Sequence, residues 1–195
     1  MTPECPGVGV YFPTMRYLII FNRKAGNFSL WEVQKITEII SASPYLEGEV
    51  VVTSTLSELR ETLKKYQNTK IDLLGIGGGD GTASLVLTQA MDIWKALPHF
   101  IVPFPCGTVG NYVAAYGLST TITDKIKKKL HLPGTKSIQT AQYLVRTVDQ
   151  QKPLHTKQLD LLDIDGTKGF TFGLGIVPKI LWLYYGGSIA EYHEH

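Results

Sequence analysis

The chain has 195 residues, of which 44% are hydrophobic and 18% are charged, and its formal net charge at pH 7 is +2. This length suffices for one well-packed domain, or for one domain and part of another, and the composition is that of a globular protein. The small net charge and the lack of interleaved basic and aromatic residues argue against a nucleic-acid partner. The sequence has no run of 18 apolar residues, so no transmembrane helix is predicted.

The first part of the chain, residues 1–15, is expected to be an irregular lead-in because it holds three prolines. It lacks the basic region followed by an apolar stretch that marks a secretory signal. The sequence has two cysteines, Cys5 in this lead-in and Cys106 far along the chain. Reduced thiols suit a cytosolic protein better than a disulfide does, so we expect a cytoplasmic location.

From residue 16 onward predicted strands alternate with predicted helices, which indicates a parallel sheet built from right-handed β-α-β units. Helices follow the first three strands, and two of them begin with capping-box spacing, Ser29 with Glu32 and Thr55 with Glu58. In such sheets ligands lie beyond the carboxyl ends of the strands, so a site is expected in the loops that follow them. The strands are predicted at 16–22, 49–53, 71–76 and 100–102.

The third strand runs directly into a glycine corner, which we define as Gly77-Gly78-Gly79-Asp80-Gly81-Thr82, and a helix is predicted at 83–97. Glycines let backbone amides approach an anion closely, and a helix N-terminus adds unsatisfied N–H groups and a positive dipole end. The corner therefore indicates a phosphate site, although a tight turn without a ligand would use the same residues. Asp80 is better suited to hold a metal ion or to orient a hydroxyl. The spacing matches neither the dinucleotide fingerprint nor the Walker loop.

Two other strand ends carry motifs of small and polar residues. The first strand is followed by Asn22-Arg23-Lys24-Ala25-Gly26, and the fourth by Pro105-Cys106-Gly107-Thr108-Val109-Gly110-Asn111. In this order and spacing, together with the glycine corner, they resemble the diacylglycerol kinase catalytic-domain family, which includes sphingosine, ceramide and bacterial lipid kinases. Arg23 stands where that family has proline.

The resemblance implies phosphoryl transfer from ATP, with Mg²⁺, to a hydroxyl of a membrane lipid such as diacylglycerol or a sphingoid base, with peripheral membrane contact. Asp80 would be the catalytic residue and a metal ligand. Asp160, where the family has an acidic residue near the metal, is a second metal candidate, although a solvent-facing acid on an alternating strand fits it equally. Lys24 would neutralise phosphate charge, or would be an ordinary exposed lysine. The nucleotide site implied by the resemblance consists of Asn22, Lys24, Gly26, Thr53, Gly77, Gly78, Gly79, Gly81, Thr82, Thr108 and Asn111.

One position departs from the pattern of many bacterial and diacylglycerol-specific members. These have an aspartate after the motif asparagine, where this chain has Tyr112. The run Tyr112-Val113-Ala114-Ala115 is more similar to the sphingosine-kinase branch, which also lacks that acid. The difference weakens the case for a diacylglycerol-type acidic network and hints at a sphingoid substrate.

The later part of the chain changes in pattern. Residues 119–135 are predicted to be a polar stretch, and its lysines 127–129 are more typical of a solvated helix face than of a membrane contact. A helix is predicted at 136–149. A β-hairpin follows, with strands at 158–165 and 168–175 about a turn at Gly166 and Thr167.

These patterns divide the chain into three parts. Residues 1–15 are the lead-in, 16–155 a three-layer α/β nucleotide-binding domain of the NAD kinase and diacylglycerol kinase type, and 156–195 the first strands of a β-rich lipid-binding domain. Resembled enzymes continue for about another domain, which returns a late acidic residue to the site. We therefore expect a truncated chain with little activity of its own. The run 191–195 holds acidic and histidine residues, but a frayed end is expected there rather than a metal site.

Two alternatives to a lipid kinase remain open. An NAD kinase-like enzyme shares Gly-Gly-Asp-Gly-Thr, but it would need an Asn-Glu pair and a Gly-Phe-Leu loop, and neither occurs in this sequence. The other alternative is an ATP-binding module without catalysis.

Overall fold

The centre of the molecule is a parallel sheet, seen in a computed structural model that describes residues 14–106, 122–130, 132, 134–158 and 160–169. Its strands are β1 (Met15–Asn22), β2 (Leu46–Thr53), β3 (Leu73–Gly78) and β4 (Phe100–Pro105). They are hydrogen-bonded in the order β2-β1-β3-β4, and every pair is parallel. The predicted α/β class is confirmed.

Helices cover both faces of the sheet. Those in the described ranges are α1 (Leu30–Ser41), α2 (Leu56–Lys65), α3 (Asp80–Trp94), α4 (Ile122–Lys129) and α5 (Lys136–Asp149). The predicted N-caps of α1 and α2 are confirmed, since Ser29 and Thr55 accept hydrogen bonds from the amides of Glu32 and Glu58. The prediction for α5 is correct at both ends.

Two hydrophobic cores lie on opposite faces of the sheet. Side chains of β1 alternate between them: Tyr17, Ile19 and Phe21 pack toward α1 and α5, whereas Leu18 and Ile20 pack toward α2 and α3. A strand buried on both faces needs a continuous apolar run, which is what the sequence of β1 provides.

The strand order places a crevice between β1 and β3. The chain passes from β1 to β2 on one side, and then crosses β1 to form β3 on the other side. At such a reversal the loops after the two inner strands diverge, and ligands of open α/β sheets bind in the gap beyond the carboxyl ends. The residues at that gap are Asn22, which ends β1, and the glycine corner, which follows from β3.

Several element boundaries differ from their predictions. β3 continues through Gly78 and β4 through Pro105, because the two strands stay paired to their ends, Gly77 with Phe104 and Gly78 with Pro105. Two prolines are tolerated in β4 because they are two residues apart, so their missing N–H groups fall on the same side of a strand that pairs only with β3 among the described residues. α3 is shifted, and runs from Asp80 to Trp94 rather than over 83–97.

Helix α4 was given no bounds from the sequence, although its lysines 127–129 indicated a solvated helix face. Four of its eight residues are lysines, and its apolar residues Ile122 and Ile126 are one turn apart, which is too short a run to define a helix. Lysine also has a high intrinsic helix propensity, which favours the helix.

The hairpin consists of β5 (Leu162–Ile164) and β6 (Thr167–Gly169), which pair antiparallel. The turn is formed by Asp165 and Gly166, both with positive φ (49° and 83°), so the predicted turn at Gly166 and Thr167 was one residue too late. Both residues suit a two-residue turn of that type. The predicted extension of the second strand to 175 lies outside the described residues, and the assignment of the hairpin to a second domain stays a prediction.

The hairpin is attached to α3 through backbone and hydroxyl groups. Ser84 Oγ donates to the carbonyl of Lys168 (2.5 Å), and the Lys168 amide donates to Thr88 Oγ1 (2.8 Å). In the parts of the chain that the structure describes, none of the helices has the length and apolarity needed to cross a membrane.

Candidate functional site

A hydrogen bond between side chains joins the two strand ends at the crevice. Asn22 Nδ2 donates to Thr82 Oγ1 (2.9 Å), so the last residue of β1 is connected to the first turn of α3. The other end of the amide is also fixed, because Asn22 Oδ1 accepts from the Lys24 amide (2.9 Å). Because Thr82 Oγ1 is the acceptor in this bond, the Thr82 hydroxyl can still donate a hydrogen bond to another acceptor.

The structure explains the glycines of the corner in different ways. A Cβ on Gly77 would lie 2.0 Å from a ring carbon of Phe21, and one on Gly78 would lie 2.4 Å from Thr82 Cβ. Both positions must be glycine for β1, β3 and α3 to pack this closely. A Cβ on Gly81 would meet nothing within 4 Å, so no packing requires glycine there. Gly81 therefore leaves open space in the first turn of α3, where a phosphate could approach.

The N-terminus of α3 is capped differently from three other helices. Ser29, Thr55 and Thr135 cap α1, α2 and α5 with a side-chain oxygen, whereas Gly79 makes no side-chain cap hydrogen bond. The first-turn amides of a helix need an acceptor, and an anion is a suitable one. The glycine corner thus combines a helix N-terminus that no side chain caps with the space beside Gly81.

Asp80 is the first residue of α3 and is partly buried. The helix dipole favours a carboxylate at this position even without a ligand. Mg²⁺ usually takes one or two carboxylates together with substrate phosphates and water, rather than a cage made of protein. No group of three or more potential metal-ligating side chains is found in the described ranges. A single carboxylate such as Asp80 would be compatible with a magnesium site of that kind.

The remaining predicted residues lie at varying distances from this corner. Thr53 ends β2 and is buried. Its carbonyl accepts a hydrogen bond from the Arg23 amide (2.9 Å), so Thr53 contacts the loop after β1. Lys24 and Gly26 lie in that loop and are exposed. The structure thus places the ends of β1, β2 and β3 at one edge of the sheet. Thr108 and Asn111 lie outside the described residues.

Asp160 is exposed and precedes β5. No hydrogen bond or ion pair of its carboxylate is found with any residue that the structure describes, and none of the described contacts brings it to Asp80. Its metal role stays a prediction.

A set of contacts around the end of β4 was not predicted from the sequence. The Asn27 amide donates to the Cys106 carbonyl (2.9 Å), and Ser137 Oγ donates to the Pro105 carbonyl (3.2 Å). These bonds attach the loop after β1 and the start of α5 to the point where β4 leads into the Thr108 motif. The two bonds join residues far apart in the sequence, and no local pattern indicates them.

Glu32, in the first turn of α1, also contacts another helix. Ser29 caps α1, and the fully buried Glu32 carboxylate accepts a hydrogen bond from Thr135 Oγ1 at the start of α5. The sequence did not predict this second contact. The bond connects α1 and α5 beside the candidate site.

A separate cavity of about 570 Å³ runs along the outer edge of β4. Its wall is mainly apolar and includes Leu87, Ile101, Tyr143, Leu154 and Leu161, but none of the predicted site residues. Residues 100–103 of β4 line it, whereas the last two residues of the strand do not. The chemistry of the glycine corner does not extend into this cavity.

Comparison with known proteins gives one family match and several similar folds. The family described as the diacylglycerol kinase catalytic domain matches residues 16–144. A search of curated proteins found no match. A crystal structure of a diacylglycerol kinase from Bacillus anthracis str. Sterne is similar with a TM-score of 0.54 and 19% identity, over 78% of this chain and 47% of that chain. A candidate diacylglycerol kinase from the same strain gives a TM-score of 0.55 and 20% identity, over 82% and 48%. The chain spans about half the length of these solved proteins.

Proposed function

The chain belongs to the diacylglycerol kinase catalytic-domain family, and from this premise we propose that it binds ATP at the glycine corner as the nucleotide-binding part of a lipid kinase. The reaction would transfer the γ-phosphate to a lipid hydroxyl, with diacylglycerol and a sphingoid base as the candidate acceptors. The single observation that carries the proposal is the Asn22–Thr82 hydrogen bond at the strand-order reversal, beside a helix N-terminus that no side chain caps.

The residues of the corner would share the work of holding the polyphosphate. The first-turn amides of α3 would donate hydrogen bonds to phosphate oxygens, with Gly81 leaving room for them. Thr82 would donate its hydroxyl proton to the same group, held in place by Asn22. Lys24, exposed in the neighbouring loop, would reduce the repulsion between the phosphate charges.

Asp80 would hold the magnesium ion against the triphosphate, and the ion when bound would neutralise charge on the transferred phosphoryl group. Phosphoryl transfer asks for positioning and charge stabilisation more than for covalent participation by the protein. A rigid corner formed by three strand ends suits that requirement.

Replacing Asp80 tests this assignment. Asp80→Asn should lower the affinity for ATP in the presence of Mg²⁺, measured by isothermal titration calorimetry, because a metal ligand is lost. Without Mg²⁺ the variant should bind ATP at least as well as the parent chain, because a negative charge near the triphosphate is gone. Asp92→Asn, an exposed carboxylate on the same helix, is the matched control and should change neither value. Unchanged magnesium dependence in Asp80→Asn would refute the assignment.

A nucleotide-binding module without catalysis is the second candidate. Transfer of labelled phosphate from ATP to diacylglycerol or sphingosine vesicles separates the two candidates. ATP binding with no transfer to either lipid supports the module. Transfer that is lost in Asp80→Asn and kept in Asp92→Asn supports the kinase.

A further inference from the structure

Three exposed aliphatic residues occur close together in the sequence at the end of α4. Ile126, Leu130 and Leu132 are 52%, 61% and 46% exposed. In the described ranges nine large hydrophobic side chains are exposed, and three of them fall within these seven residues. Exposed aliphatic residues gathered in this way mark a surface that contacts something apolar.

Backbone hydrogen bonds connect Leu130 and Leu132 to α4. The Leu130 amide donates to the Ile126 carbonyl (3.0 Å), and the Leu132 amide donates back to the Lys127 carbonyl (2.8 Å). Lys127 Nζ donates to the Gly134 carbonyl (3.1 Å) and closes the turn from its far side. The aliphatic side chains are therefore presented by hydrogen-bonded backbone.

The same segment concentrates positive charge. Residues 122–136 contain five lysines and one aspartate, although the whole chain has a net charge of only +2. Lys129 is exposed between Ile126 and Leu130 in the sequence. Aliphatic residues interleaved with lysines are complementary to the surface of an anionic membrane, where the chains enter the acyl boundary and the ammonium groups meet the head groups. A protein partner or a second copy would not require this density of lysine.

The position of the segment relates it to the candidate site. Gly134 is followed by Thr135, which donates to Glu32 in the first turn of α1, and α1 begins just after the loop that follows β1. Ser137, two residues later, contacts the carbonyl at the end of β4. The segment is thus anchored at the carboxyl edge of the sheet, the edge that carries the glycine corner.

We propose that Ile126, Leu130 and Leu132, with Lys127 and Lys129, form a docking surface for an anionic lipid membrane, which we name the α4 surface. Docking there would hold the carboxyl edge of the sheet near the bilayer that contains the acceptor lipid. The proposal deepens the proposed function and depends on it for its purpose, but membrane binding can be measured without nucleotide or catalysis.

Vesicle co-sedimentation of the 195-residue chain tests the α4 surface. The chain should bind vesicles of phosphatidylcholine with phosphatidylserine, bind pure phosphatidylcholine much more weakly, and lose affinity as salt rises. Lys129→Gln should weaken binding about fivefold, the effect of one lysine at such a surface. Lys64→Gln, an exposed lysine of α2, is the matched control and should change binding little.

The aliphatic part of the α4 surface has its own set of three variants. Leu130→Ser should weaken binding to the anionic vesicles about tenfold or more, because a buried leucine is lost from the acyl boundary. Leu56→Ser, the same substitution at a 44% exposed leucine of α2, is the matched control and should not weaken vesicle binding. Leu130→Trp should tighten binding, since tryptophan favours the membrane interface, and sedimentation without vesicles measures any aggregation of the variant.

Several results would overturn the α4 surface. The first two are absence of binding to the anionic vesicles and equal binding to both vesicle types. The other two are equal losses of binding in the α2 control variants, and variants at Lys129 or Leu130 that change only the self-association of the chain. ATP binding measured on the same samples keeps the two proposals apart. A chain that binds vesicles but not ATP refutes the proposed function alone, and one that binds ATP but not vesicles refutes the α4 surface alone.

Discussion

Gly77 and Gly81 are four residues apart in one corner, yet they are glycine for different reasons. Gly77 is required by the ring of Phe21, which occupies the place of a Cβ. Gly81 has open space around it and lies in a helix, where glycine is less stable than alanine. The proposed function would account for this glycine, because a phosphate would approach the first turn of α3 through the open space beside it.

Replacement of Gly81 by alanine separates stability from binding. Gly81→Ala should raise the free energy of unfolding by up to about 1 kcal/mol, because alanine restricts the unfolded chain and suits a helix. ATP affinity should fall, because the methyl group enters the space reserved for phosphate. Urea denaturation and calorimetric titration give the two values. An alanine variant with unchanged ATP affinity would show that the space beside Gly81 is not used.

Glu49 illustrates how a surface charge can contribute to the fold. Its Oε2 accepts hydrogen bonds from Lys65 Nζ (2.6 Å) and from the Tyr66 hydroxyl (2.5 Å), connecting β2 to the end of α2. These two donors, Lys65 first, lower the pKa of the Glu49 carboxyl below its ordinary value. A lowered native pKa stabilises the folded state above the ordinary pKa of glutamate, and this contribution is lost as the pH falls through the native pKa.

The pH dependence of Glu49→Gln follows from that sign. The variant should unfold more easily than the parent at neutral pH, by less than about 1 kcal/mol because the carboxylate is partly exposed to solvent. The difference should disappear on acidification below the native pKa. Urea unfolding at a series of pH values measures it. Glu47→Gln, on the same strand and 67% exposed, is the control, and an equal effect there would contradict the role of the Lys65 and Tyr66 bonds.

At the scale of elements, local sequence patterns were sufficient to predict most helices and strands, but not the features that depend on contacts between distant residues. Capping residues, apolar alternation and glycine-rich strand ends predict β1, α1, α2 and α5, because these signals act within a few residues. The ends of β3 and β4 could not be predicted, since each strand is extended by pairing with the other. The bond between Glu32 and Thr135 joins residues 103 positions apart, and no local pattern reveals it.

The Glu32–Thr135 contact makes a prediction about α1 and α5. Thr135→Val should lower the free energy of unfolding by about 2–4 kcal/mol, because one change removes the N-cap of α5 and a hydrogen bond to a buried carboxylate. Thr140→Val removes a hydroxyl bonded within α5 to the carbonyl of Lys136, and should cost much less. Equal losses in the two variants, measured by thermal or urea denaturation, would argue against the connection between α1 and α5.

At the scale of the whole molecule, the strand order creates the site. The alternation of strands and helices predicts a parallel sheet, but the order β2-β1-β3-β4 is not written in any local pattern. That order brings Asn22 and Thr82 within hydrogen-bonding distance although 60 residues separate them. The three motifs identify the family, and the sheet topology explains why two of them meet at one crevice.

The most direct test of the account is the position of the nucleotide in a crystal of the chain grown with Mg²⁺ and a non-hydrolysable ATP analogue. We expect the polyphosphate to lie at the first turn of α3, with its oxygens about 3 Å from the amides of Gly81 and Thr82. The Asp80 carboxylate should face the cation. A polyphosphate bound elsewhere, for example in the cavity beside β4, or an Asp80 side chain turned away from the cation, would contradict the account.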